Sequence, residues 1–207
     1  MATFKVLKSP ANYLQTLSLM EERVEQVINK SADEIIYLVE HEDVYTAGTS
    51  YKIEELIKPG NMPVIYTGRG GKFTYHGKGQ RVIYPILDLS RLERHKDIKL
   101  YIKNLEQWVI NCLKHFNIEG YTIPSRIGIW VRDQNTEFKI ASIGVRIRKW
   151  VTYHGIAVNI TTNLNKYNGI IPCGLSEFPV TSLLKLGVDI TLAEFDKVLK
   201  QEFNRVF

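Results

Sequence analysis

Two stretches of the 207-residue chain combine residue types that can do chemistry. The first runs from Arg69 to Pro85, RGGKFTYHGKGQRVIYP. It gathers a guanidinium, a hydroxyl, an imidazole and a carboxamide among four glycines, then enters the apolar run VIYPIL. Glycine gives up more backbone freedom on folding than other residues, so this density fits a backbone that turns sharply or lies against a ligand. A glycine-rich hairpin with incidental polar residues is the competing reading. The second stretch is Ile170 to Leu175, IIPCGL, where Pro172 restricts one side of Cys173 and Gly174 frees the other. A thiol at such a bend is a candidate nucleophile, and a structural thiol fits the pattern equally well. Lys139 before an apolar run and His154 before Gly155 are ambiguous in the same way.

The elements that must position these residues follow from periodicity. Thr3 to Leu7 reads as a strand. Tyr13, Leu17, Met20, Val24, Val27 and Ile28 recur at three- and four-residue steps, which predicts an amphipathic helix with Pro10 near its start. Glu34 to Glu40 reads as a buried strand, Tyr51 to Ile57 as a short helix, and Val64 to Thr67 as a strand feeding the Arg69 loop. A second helical stripe runs from Ile98 to Phe116 and carries Cys112, which reads as inert core. The second half alternates with period two: YTIPS, IGIWV and the long KIASIGVRIRKWVTYHGIAVNI, with RDQNTE as a hairpin turn. Gly144 and Gly155 interrupt these strands, which marks a ligand or backbone approaching closely. Phe178 to Leu186 reads as a short helix, and Thr191–Glu194 as a capping box opening the last one. The order indicates an α+β single domain over residues 1–207, with a mixed or antiparallel sheet flanked by helices.

Composition narrows the function classes. Hydrophobic residues make up 44% and charged residues 24%, ordinary for a soluble globular chain. No apolar run is long enough to span a membrane, and the N-terminus lacks an apolar signal core, so a cytoplasmic protein with reduced thiols is expected. No C-x-x-C or H-E-x-x-H spacing occurs, so no metal is expected. The net charge of +5 fits acidic partners. No basic tail or nucleic-acid motif points to DNA or RNA.

The motifs together resemble the lipoyl(octanoyl) transferase family. Arg69 to Pro85 is similar to its RGG-x-x-T-[YF]-H-G-P-G-Q-x-V-x-Y-P signature, with Lys78 in place of proline. HEDVYTAG resembles its EH-x-P-V-[YF]-T-x-G segment, with Asp43 in place of proline. Lys139 to Gly144, Trp150 to Asn159 and Ile170 to Gly174 resemble its K-[IL]-A-[AS]-I-G, W-V-T-x-H-G-x-A-x-N and I-x-P-C-G motifs. The resemblance spans roughly Glu40 to Leu184 and implies a biotin/lipoate-ligase-like fold. It implies octanoyl transfer from octanoyl-acyl carrier protein to a lysine of lipoyl domains, those of 2-oxoacid dehydrogenase complexes and the glycine cleavage H protein. No cofactor is implied. Cys173 would be the nucleophile and Lys139 its activating partner. Arg69, Gly70, Gly71, Lys72, Phe73, Thr74, Tyr75, His76, Ala141, Ser142, Ile143, His154, Gly155 and Ile156 would line the acyl pocket, with His76 supporting the site. An ATP-dependent lipoate or biotin ligase and a basic binding module are the rival readings. Pro172-Cys173-Gly174 is the feature that separates the transferase from the ligase, and a stable acyl adduct on the chain would separate it from the binding module.

Overall fold

A computed structural model describes residues 2–91, 96–124, 126–172 and 179–207. Among the described residues, ten strands and three α-helices build a mixed main sheet with helices on both faces and a second, smaller sheet. In chain order they are β1 (Thr3–Val6), α1 (Tyr13–Ile28), β2 (Ile35–Val39), β3 (Val44–Ala47), β4 (Val64–Tyr66), β5 (Phe73–His76), β6 (Gln80–Ile86), α2 (Ile98–Lys114), β7 (Gly120–Ile123), β8 (Arg126–Asp133), β9 (Thr136–Arg148), β10 (Val151–Asn159) and α3 (Leu192–Phe203). Seven strands form the main sheet in the order β1-β2-β6-β10-β9-β8-β7, and three form a small sheet, β4-β3-β5. Only β1–β2 and β3–β4 are parallel among these pairs.

The period-two pattern sorts the main sheet's side chains onto its two faces. In β2 every residue is buried. Ile36 and Leu38 join the core beneath α2 and α3, with Ile83, Ile156, Leu105, Trp108 and Phe195. Ile35, Tyr37 and Val39 face the other way, with Val82, Tyr84, Ala157 and the Met20, Val24 and Val27 stripe of α1. A strand covered on both sides reads as a continuous apolar run because neither face meets water. Trp108 Nε1 donates to Leu199 O at 2.9 Å, and Arg81 of β6 pairs with Asp196 of α3 at 2.8 Å. These contacts lock α3 against the helix and sheet beneath it.

Helix ends follow local chemistry. α1 starts after Asn12, whose side chain accepts from Gln15 N, so Pro10 lies outside the helix. Asp97 caps α2 through Leu100 N at 3.0 Å. Thr191 and Glu194 form the expected reciprocal box on α3. Three expectations change. Tyr51 to Ile57 holds only a 3₁₀ turn at Ile53–Glu55. Of Phe178 to Leu186, Phe178 lies outside the described residues and the rest holds one 3₁₀ turn, Leu184–Leu186. The Arg69 stretch is not one loop: β5 interrupts it, pairing antiparallel with β3.

Candidate active site

The Arg69–Gly71 turn packs directly on β9, and glycines make that approach possible. A Cβ on Gly144 would sit 2.7 Å from Gly70 O, and one on Gly48 would sit 2.3 Å from Gly71 O. With neither present, Gly70 N donates to Val145 O at 2.9 Å and Gly48 N to Lys72 O at 3.2 Å. Arg69 is spent on shape. Its Nη2 donates to Thr46 O at 2.7 Å and to Lys72 O at 2.8 Å, and its Nε to Thr46 Oγ1 at 3.2 Å. The guanidinium thus ties the turn to β3, and Lys72 at its end pairs with Glu55.

Beneath this turn lies a cavity of about 490 Å³, a volume typical of small-molecule sites. Its floor crosses four strands. The register aligns Val82 with Ala157 and Ala157 with Ser142, and next to that row Gly155 with Gly144. Small side chains at the centre leave a trough, and all these residues line it. At one end are Ile127, Arg126 and Lys139; at the other are Tyr13, Tyr84 and Val82. The roof is Arg69, Gly70, Gly71, Lys72, Thr74 and His76.

Lys139 reaches the trough through a strand irregularity. Ser142 and Gly144 share the floor, and an uninterrupted β9 would turn an odd-numbered residue to the opposite face. The pairing shifts between Ile129 and Trp130, matching Ile129 with Ala141 but Trp130 with Lys139. This extra residue resets the alternation. Lys139 is 4% exposed. Its Nζ donates to Ile127 O at 2.8 Å and lies 5.4 Å from the Trp130 ring centroid. Gly128, at φ +125°, gives the side chain its path, since a Cβ there would meet Lys139 Cε at 2.5 Å.

Three buried histidines gather toward the Tyr13 end. His41 Nδ1 is 3.0 Å from Ala11 O, which can only accept, so the ring proton sits on Nδ1 and Nε2 accepts from Tyr84 OH at 2.9 Å. His76 Nδ1 is 2.8 Å from Gln80 Oε1. Gln80 Nε2, with two N–H groups, is within hydrogen-bond distance of the acceptors Tyr75 O, Asn159 Oδ1 and Tyr167 OH, which fixes the amide and places the His76 proton on Nδ1. Burial pulls His41 down to about 4 and His154 to about 3, and Arg69 adds to the fall at His154. His76 is pushed well below the usual imidazole value, first by burial and then by His41 and Arg69. All three are neutral near pH 7. Among the described residues neither ring nitrogen of His154 has a hydrogen-bond partner, and the residue sits at φ +55° beside Gly155.

Of the residues expected to line a pocket, Arg69, Gly70, Gly71, Lys72, Thr74, His76, Ser142, Ile143, His154, Gly155 and Ile156 do line this cavity, together with Lys139. Phe73, Tyr75 and Ala141 do not. Phe73 and Tyr75 alternate away from Thr74 and His76 into a separate cluster with Tyr45 and Tyr167, and Ala141 faces the core under α2. Cys173 lies outside the described residues. The chain on either side of it is anchored: Ile171 N donates to Glu55 O at 2.7 Å, Lys139 N to Pro179 O at 3.0 Å, and Thr181 N to Lys139 O at 2.9 Å. Cys112 is buried, and burial together with Glu202 pushes its thiol far above the usual range. Among the described residues no cluster of three potential metal ligands occurs, and no helix is long and apolar enough to cross a membrane.

The two departures from the family pattern sit in defined places. Lys78 is exposed in the β5–β6 turn. Asp43 accepts from Tyr75 OH at 2.6 Å and pairs with Lys166 at 2.8 Å. Sequence reasoning missed Tyr13, Val82, Tyr84, Ile102, Arg126 and Ile127. Tyr13 and Ile102 lie on helical apolar stripes and Val82 and Tyr84 in an apolar strand, so all four read as core.

Comparison with known proteins agrees with this architecture. Residues 12–204 match the family described as the lipoyl protein ligase A/B catalytic domain. An octanoyltransferase of Rickettsia prowazekii (strain Madrid E) is 60% identical over 208 residues, covering all of both chains. A bipartite lipoate protein ligase from Thermoplasma acidophilum superposes with a TM-score of 0.74 at 16% identity, over 99% of this chain and 82% of that one. A biotin protein ligase from Aquifex aeolicus gives 0.57 at 12% identity, over 98% and 68%. These two structural likenesses speak for the fold, the biotin/lipoate-ligase-like fold. The chain belongs to the lipoyl protein ligase A/B catalytic domain family and, within it, to the lipoyl(octanoyl) transferases, which are acyltransferases.

Proposed function

We propose that the protein moves an octanoyl group from the thioester of octanoyl-acyl carrier protein to a lysine of lipoyl domains, through an acyl thioester on Cys173. The observation that carries this is the trough itself. It is a largely apolar groove with a buried lysine at one end, and the backbone of that lysine holds the segment that follows the Pro-Cys-Gly sequence. In the first step the Cys173 thiolate attacks the donor carbonyl. A new C–S bond forms, the old one breaks, and the carrier leaves as its thiol after taking a proton. In the second step the acceptor ε-amine attacks the acyl-cysteine. The C–N bond forms, the thiolate leaves, and the amine proton passes to a base.

Lys139 is the group we assign to proton management at this end. An ordinary thiol is only a few per cent thiolate near neutrality, and a cation beside it shifts the balance. The donor is already activated as a thioester, so the exchange needs no nucleotide. Splitting the transfer in two predicts ping-pong kinetics. The neutral histidines and Thr74 shape and support the groove, with His76 as an acceptor at Nε2 and not the main base. The acceptors would be the lipoyl domains of 2-oxoacid dehydrogenase complexes and the glycine cleavage H protein, met in the cytoplasm. The net charge of +5 favours encounter with acidic partners.

The test is a reconstitution of octanoyl-acyl carrier protein, enzyme and unmodified lipoyl domain without ATP. An octanoyl-lysine amide on the domain is expected. Product that appears only with free acid and ATP would make the protein a ligase instead.

A further inference from the structure

We infer that Tyr13 sets the length of acyl chain the trough accepts, a specificity role that rests on the reading of the groove as the acyl site. The trough runs across the strands, so sheet spacing measures it. From β8 through β9 and β10 to β6 are three inter-strand steps, about 14 Å at about 4.8 Å each. An extended eight-carbon acyl group spans about 9 Å from its zigzag of about 1.5 Å bonds. The difference leaves room for the Lys139 ammonium at one end and one layer of side chain at the other.

That layer is Tyr13, and its surroundings prevent it from yielding. The residue opens α1 directly after the Asn12 cap and is 3% exposed. Its ring stacks on His76 at 5.9 Å and 14° and lies 5.1 Å from His41. The chain just before it is pinned to the end of β2: Ala11 N donates to Glu40 O at 2.8 Å, Glu42 N to Ala11 O at 3.1 Å, and His41 Nδ1 to Ala11 O. Moving the helix start that carries the ring would break this set of bonds. The opposite end carries an exposed residue by contrast, Ile127 at 57%. A chain that enters past Ile127 and Lys139 therefore stops against a fixed phenol. The wall is a helix residue, while the floor beside it belongs to the sheet, so chain length can change without disturbing the reacting end.

Acyl-enzyme formation on Cys173 is measured by intact mass with thioesters of six to fourteen carbons, for the wild type and for Tyr13→Ala, Tyr13→Leu and Tyr13→Phe. Thermal shift with the matching free fatty acids reads binding independently of the chemistry. Each buried methylene changes affinity about fourfold. The wild type should favour eight carbons over twelve by at least about tenfold. Tyr13→Ala and Tyr13→Leu should move the optimum up by about two to four carbons, in both readouts, and Tyr13→Phe should leave it in place. A wild type that uses twelve carbons as well as eight overturns the inference, as does an unchanged optimum in whichever of the two shortened variants folds. Absence of any acyl-enzyme in the wild type would instead remove the proposed function, and the fatty-acid series would still decide whether Tyr13 limits the groove.

Discussion

Gly128 holds open the path of Lys139, and replacing it with alanine perturbs that lysine without touching its charge. An alanine Cβ would lie 2.5 Å from Lys139 Cε, 2.6 Å from Ala141 O and 3.1 Å from Lys139 Nζ. Ordinary contact begins near 3.4 Å, so about 0.9 Å must be found at Lys139 Cε, from the 3.4 Å limit less 2.5 Å, and about 0.8 Å at Ala141 O, from 3.4 Å less 2.6 Å. The carbonyl is part of the β8–β9 ladder and yields little, so the lysine moves. The residue also sits at φ +125°, where a side chain costs on the order of 1–3 kcal/mol. Overpacking adds about 1–3 kcal/mol. A total near 3 kcal/mol lowers Tm by about 6–12 °C in a domain of this size. Displacement by most of an ångström, with loss of the 2.8 Å bond to Ile127 O, should slow acylation by about 100-fold. Stopped-flow acylation at a temperature where the variant remains folded is the assay. Gly60→Ala is the control, with positive φ but nothing within 4 Å of the new Cβ; it should lose about 1 kcal/mol and keep its rate. Acylation by a folded Gly128→Ala protein at the wild-type rate would refute the role given to the placement of Lys139.

Gly144→Ala should drive the Arg69 turn off β9, because the new Cβ meets Gly70 O at 2.7 Å; fatty-acid binding in a thermal shift should weaken by at least about tenfold, and unchanged binding would contradict the packing described. The neutral histidines make stability depend on pH. The unfolded chain binds protons at a pKa near 6.5 and the folded His41 only near 4, so the stabilising contribution is complete above pH 6.5 and is lost as pH falls toward 4. The slope should reach about 1.4 kcal/mol per pH unit for each such histidine. Denaturation of His41→Gln across this window should show a shallower slope than the wild type. Asp196→Ala strands a buried guanidinium, since Arg81 and Asp196 side chains are 5% and 9% exposed; it should cost about 3–5 kcal/mol in urea melts while leaving the chain-length optimum unmoved.

The sequence made the local features readable and left the spatial ones hidden. Period-two and helical stripes placed the strands and helices, because β2, β6 and β10 are buried on both faces and α1 to α3 on one. Gly144 announced a close approach of backbone, and the Arg69 turn supplies it. Lys139 could not be assigned a face from alternation, because the shift between Ile129 and Trp130 reverses it. β5 hid inside a glycine-rich stretch, so Phe73 and Tyr75 were grouped with Thr74 and His76 although the pleat separates them. Tyr13 looked like core for a good reason: a wall residue at the buried end of a groove is packed as tightly as core. Its second role appears only when the order of β8, β9, β10 and β6 shows that the groove runs across the sheet toward α1.

Mass analysis of the enzyme after brief mixing with octanoyl-acyl carrier protein, without acceptor, tests the central claim most directly. One octanoyl group per chain is expected, mapped by peptide analysis to Cys173, absent in Cys173→Ala and discharged on adding an unmodified lipoyl domain. An unmodified chain that nevertheless completes the transfer, or an adduct at Cys112, would contradict it.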